Sequence, residues 1–131
     1  MTWPADWSAD VVEVYASLAR ERGWPSDTIE AVASNAQYIR GLDESERPRQ
    51  HFAGDFDGEQ WLFEAVEDRG ELIVIRQILI AGDGRSHRYS WRWLDDDDGG
   101  LTDQALDPAD GPAPTTAAHF EVAWGGAGPG R

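Results

Sequence analysis

Cysteine and lysine are both missing from this chain, and methionine occurs once. Without thiols there are no disulfides, no thiolate nucleophile and no cysteine metal site. That fits a reducing compartment. Without lysine, all eleven positive charges are arginine, which together with abundant Ala, Gly and Asp is the codon signature of a GC-rich bacterial genome. Long apolar runs are also absent. None approaches the roughly 18 residues of a membrane helix, and the acidic opening MTWPADWSAD has neither the basic nor the apolar region of a signal peptide. The expectation is a soluble, cytoplasmic protein.

What the chain has in excess is acid. There are 25 Asp and Glu against the eleven arginines, for a net charge of −14 over 131 residues. Residues 95–131 contain eight acids and one arginine, so half of the net charge sits in the last third. A field of this sign repels nucleic acid and anionic membranes and draws in basic partners. The length is that of one ordinary domain, able to bury a core without staples.

Hydrophobic spacing divides the chain in two. Residues 8–22, SADVVEVYASLARER, place Val11, Val14, Tyr15 and Leu18 on one helical face, with Ser8 as N-cap and Gly23 as stop. Residues 27–40 read as a second helix with a buried stripe of Ile29, Val32, Ala33, Ala36 and Ile39. Asp27 and Glu30 suggest a capping box, and Gly41 an end. The short GWPS link makes an antiparallel pair. From residue 51 the period becomes two, and strands are predicted at 51–56, 60–68, 71–81 and 86–94, broken at Asp57-Gly58, Arg69-Gly70 and Asp83-Gly84. HFEVAW, 119–124, alternates like a final strand, and 125–131 reads as a disordered glycine-rich tail. The fold class is α+β: residues 1–124 form one domain, a helix hairpin packed on an antiparallel meander of four to five strands.

Two-residue turns would pair Arg76 with Trp91 and Phe63, and set His87, Tyr89, Trp91 and Trp93 on the same face. Arg76 then stands among aromatics, either stacked on Trp91 or Trp93, or paired with Glu64 or Glu67, because an unpaired buried guanidinium is costly. Read functionally, Trp61, Arg76, Tyr89 and Trp91 would line a ligand pocket, with Arg76 as the anion anchor. Arg88, Ser90 and Arg92 take the other, partly solvated face.

Beside the tryptophans lies the run Asp95, Asp96, Asp97, Asp98. Four adjacent carboxylates resist burial and should face solvent. An EF-hand is excluded by spacing: aligning its invariant glycine with Gly99 or Gly100 puts Ala105 or Leu106 where the closing glutamate belongs. No metal and no cofactor are expected. Catalytic motifs are weak throughout. His51, His87 and His119 all fall on predicted strands without ligand spacing, and Asp55 and Asp57 belong to turn chemistry.

These features point to an acidic protein-binding inhibitor of the immunity or antitoxin type, neutralising a basic bacterial toxin or enzyme. Its expected interface is Trp91, Trp93, Asp95, Asp96, Asp97, Asp98 and Asp103. The general character is similar to that of toxin-immunity proteins, and no diagnostic motif ties the chain to one family. The alternative is a small-molecule-binding protein or enzyme built around Arg76. The expected partner is a basic protein, with no nucleic acid and no membrane.

Overall fold

The computed structural model describes residues 3–96 and 99–127. It is an α+β arrangement: two N-terminal helices, α1 (Ala9–Arg22) and α2 (Ser26–Asp43), are followed by β1 (Arg49–Phe56), β2 (Glu59–Asp68), β3 (Glu71–Ile80) and β4 (Ser86–Tyr89), then β5 (Ala113–Pro114) and α3 (Ala117–Gly126). The five strands form one antiparallel sheet in the order β4-β3-β2-β1-β5. Among the described residues no helix is long and apolar enough to cross a membrane.

α1 follows its apolar spacing. Val11, Tyr15, Leu18 and Ala19 are buried, and Gly23 closes the helix in the left-handed region at φ 65°. Ser8 does not cap it with its side chain; its hydroxyl accepts from Gln37 Nε2 and so ties α1 to α2. The Asp27–Glu30 box is not formed either. α2 starts at Ser26 behind Pro25, which places Asp27 inside the first turn, and it runs through Gly41 to Asp43 so that Leu42 completes the buried stripe.

The hairpins at 57–58 and 69–70 are two-residue turns with positive φ at both central positions: Asp57 52° and Gly58 79°, Arg69 55° and Gly70 82°. The third hairpin differs from expectation. Ala81 N–H donates to Arg85 O, the Asp83 carboxylate accepts from Arg85 N–H, and Gly84 has φ 88°. The loop therefore holds three residues, and Tyr89 pairs with Gln77 and His87 with Leu79. One residue of shift exchanges the faces of β4. β4 also ends at Tyr89, so Trp91 and Trp93 are not strand residues; they belong to a tight turn closed by reciprocal bonds between Ser90 and Trp93.

A second irregularity lies in β3. From the 69–70 turn the register runs evenly to Ala65 opposite Val74, then a bulge inserts Ile75 and sets Glu64 opposite Arg76. Beyond it Phe63 faces Gln77 and Trp61 faces Leu79, in place of the expected Phe63–Arg76 pair.

HFEVAW is a helix, not a strand. Thr116 caps it by accepting from His119 N–H, and Phe120 and Trp124, one turn apart, stack with ring centroids 6.0 Å apart. Val122, the middle of the apparent alternation, is 77% exposed. Gly125 and Gly126 continue α3 and Ala127 is buried against Leu62 and Ile78, so the first part of the expected tail is structured; residues 128–131 lie outside the described residues.

Both sheet faces are covered. On one, α1 and α2 pack on Val66, Ile73 and Ile75, while Phe120 of α3 packs on Leu62 and Ile78. On the other, Leu101 and Leu106, which follow β4 in the chain, cover Phe52, Phe63 and Val74. Leu106 N–H bonds Leu72 O on the open edge of β3, which short β4 does not reach.

Candidate functional site

Three places gather chemistry. The first is a buried polar centre at the bulge. Glu64, 1% exposed, accepts from Arg76 Nε at 2.6 Å and Nη2 at 2.8 Å, from Arg49 Nη1 at 2.8 Å, and lies 2.9 Å from His51 Nε2. Burial pushes the Glu64 carboxyl up, but the hydrogen bonds from Arg76 and His51 and the arginine charges outweigh it and hold it down at about 2. Arg76 also bonds Glu121 of α3, and its guanidinium stands 5.0 Å from the Phe120 ring centroid and 4.8 Å from that of Trp124. Arg76 is thus paired and stacked, but its aromatic partners come from α3 in place of Trp91 and Trp93. Every charge in this centre is matched, which makes it a fixed clamp between β1, β2, β3 and α3.

The second is a cleft of about 730 Å³. Val14, Ser17 and Leu18 of α1 form one wall, with Asp10 and Glu13 on it; Arg88, Ser90 and Arg92 form another. Trp91, Trp93 and Trp124 line it, and Arg76 reaches it from beneath. The face expected to be a partly solvated strand surface, Arg88, Ser90 and Arg92, is therefore the one that opens into the cleft.

The third is a groove of about 310 Å³ on the opposite face, lined by Phe56, Trp61, Phe63, Leu106 and Pro112, with Asp107 and Asp110 beside them. Phe56 is 43% exposed. Its ring lies over Gly54, where a Cβ would stand 3.1 Å from Phe56 Cε2. Asp55, Asp57, Asp103, Asp107 and Asp110 are all exposed.

The expected pocket quartet does not converge. Arg76 and Trp91 border the cleft, Trp61 lines the groove on the far face, and Tyr89 is fully buried. Among the expected interface residues, Trp91 is 4% exposed and sits in the helix core, where Tyr15 hydroxyl donates to its carbonyl. Trp93 is half-buried, with Arg22 stacked 4.8 Å from its ring centroid.

The aspartate run divides. Asp95 is exposed and pairs with Arg22 at 3.0 Å. Asp96 is turned inward, accepting from Tyr89 hydroxyl at 2.8 Å and Gly99 N–H at 3.0 Å, with His87 Nδ1 at 3.2 Å. The expectation that the run faces solvent as a unit is corrected by this: the Asp96 carboxylate holds Gly99, which stands against Trp61 and Leu79. Asp97 and Asp98 lie outside the described residues.

His51, His87 and His119 occupy three separate settings: the Glu64 centre, the Asp96 turn and the exposed first turn of α3. Among the described residues no group of three or more His, Asp or Glu side chains is arranged to hold a metal ion. The Phe56 groove escaped the sequence reading because its wall comes from a loop more than forty positions away; the signal present was an aromatic between two acids, Asp55-Phe56-Asp57. No protein-family model, curated protein or solved structure matches this chain.

Proposed function

We propose that this protein is an acidic inhibitor of the immunity or antitoxin type, which docks on a basic protein, such as a bacterial toxin or enzyme, and blocks it. The observation that carries the reading is the Phe56 groove: a large aromatic, 43% exposed and at the end of β1, beside a shallow apolar groove with Asp107 and Asp110 at its edge. Aromatic anchors surrounded by a polar rim are the energetic centres of protein interfaces. The exposed carboxylates of Asp107 and Asp110 at the groove, with those of Asp57 in the hairpin turn and Asp103 in the adjoining loop, supply a rim of one sign. A basic side chain of the partner meets that rim while an apolar one fills the groove. The net charge of −14 accelerates encounter with such a partner.

The interface centre thus moves from the tryptophan–aspartate run to the β1–β2 hairpin and the 103–110 loop, with Asp103 common to both. Asp95 and Asp96, engaged by Arg22 and by Tyr89, contribute to the field more than to contacts. The test is capture from lysate of the source organism on immobilised protein, washed at low and then high salt. A basic protein retained at low salt and released at high salt supports the reading. Retention of acidic or neutral proteins only, indifferent to salt, contradicts it.

A further inference from the structure

The tryptophan-lined cleft lies on the opposite sheet face from the Phe56 groove and raises a separate question. Most charges around it are already spent. Asp10 pairs with Arg40 at 2.9 Å, Asp43 with Arg49 at 2.9 Å, and Arg76 with Glu64 and Glu121. Two cations remain. Arg88 lies 5.1 Å from the Trp124 ring centroid and gives one N–H to Trp124 O at 3.2 Å. Arg92 lies 4.4 Å from the Trp91 centroid, and its guanidinium donates to no described residue. Neither meets a carboxylate among the described residues, in a chain with more than twice as many acids as arginines.

A guanidinium resting on an indole keeps its N–H edge available, and five donors in a rigid fork match a carboxylate in two-point contact. Stacking also fixes the fork in advance, so less freedom is lost on binding. The cleft volume, about 730 Å³, falls within the range of small-molecule sites. Trp93 and Trp124, both partly exposed, offer apolar surface for a ring.

We infer that this cleft binds a small aromatic monocarboxylate, with Arg88 and Arg92 holding the carboxylate and the indoles holding the ring. A single negative charge is favoured over a double one. Glu13 stands on the facing wall, and the field of the whole chain opposes anions at a distance, so the attraction is confined to short-range contact with the two guanidinium groups.

The test uses the purified full chain and three probes of similar size: benzoate, phenyl phosphate and benzylamine. Binding is followed by ligand-observed NMR and calorimetry. Benzoate is expected to saturate with a Kd on the order of 1 mM, the strength open to so small a ligand, ahead of both other probes. Arg92→Gln, at an exposed position, and Arg88→Gln/Arg92→Gln are each expected to weaken benzoate, the double change at least about tenfold. Phe56→Ala, on the other face, is expected to leave it unchanged. The inference is overturned if the folded wild type shows no saturable benzoate binding, if benzylamine or phenyl phosphate binds as well, or if the folded double variant binds benzoate undiminished.

Discussion

Glu64 and Arg76 face each other across β2 and β3 in a two-point ion pair, because a single bulge at Ile75 moves Arg76 one position along the ladder. An even register would have put Arg76 opposite Phe63. The bulge therefore turns an unpaired buried guanidinium into the fourth arm of a centre that also holds Arg49 and His51. Replacing the carboxylate by an amide removes the charge those groups share and turns an N–H2 donor toward them. Glu64→Gln is expected to cost about 3 kcal/mol, at the lower end for breaking a buried pair, measured by urea unfolding at neutral pH.

The same carboxylate sets an acid limit. Its folded pKa, about 2, lies below the ordinary 4.5. A depressed folded value means that the stabilisation is fully present above pH 4.5 and is lost as pH falls from there toward 2. The contribution is on the order of 3 kcal/mol. Unfolding free energy of the wild type should fall through this window, and that of Glu64→Gln should fall distinctly less. Parallel pH profiles for the two proteins would contradict the assignment.

Asp95 and Asp96 are adjacent in sequence and opposite in role. Asp96→Ala removes the acceptor of Tyr89 hydroxyl and of Gly99 N–H, and is expected to cost about 1–3 kcal/mol. Asp95→Ala breaks only the exposed pair with Arg22 and should stay within about 1 kcal/mol of wild type. Thermal or chemical unfolding of both variants reads the difference directly.

Tyr15 is the peg that joins α1 to the 90–93 turn. Its hydroxyl is buried and donates to Trp91 O, and burial, with the nearby Asp95 charge, raises its pKa. Tyr15→Phe leaves that carbonyl without its donor and should cost about 1–2 kcal/mol. Because the turn borders the cleft, the variant should also shift the Trp91 and Trp93 side-chain resonances. Unchanged stability together with unchanged resonances would contradict the role.

Arg69 occupies the left-handed region at φ 55° on the exposed 69–70 turn. Asn tolerates that conformation better than Arg, so Arg69→Asn should raise stability by about 0.5–1 kcal/mol, seen as a higher midpoint in urea with the same slope.

Much of the architecture was legible because it rests on local pattern. Val11, Tyr15 and Leu18 repeat at one helical period only, and Asp57-Gly58 and Arg69-Gly70 carry their glycines where positive φ is needed. The failures share a physical character: each had two local solutions. Phe120, Val122 and Trp124 satisfy a period of two, but Phe120 and Trp124 are also one helical turn apart, and the Thr116 cap decides for the helix. Gly82-Asp83-Gly84 accepts a two- or a three-residue loop, and the choice exchanges the faces of β4. The Ile75 bulge, which sets Arg76 opposite Glu64, has no sequence mark. Of the candidate sites, the partners of Arg76 were half legible: Glu64 was named, while Phe120 and Trp124 were concealed by the misread helix. The Phe56 groove depends on packing of a distant loop, which no spacing rule reveals.

The most direct test of basic-partner docking is a side-by-side capture from source lysate, using wild-type protein and the variant Phe56→Ala/Asp107→Asn/Asp110→Asn. All three positions are exposed, so circular dichroism should show both proteins equally folded. The prediction is a basic protein retained by the wild type at low salt and lost from the variant. Equal retention on both, or no basic protein on either, would contradict it.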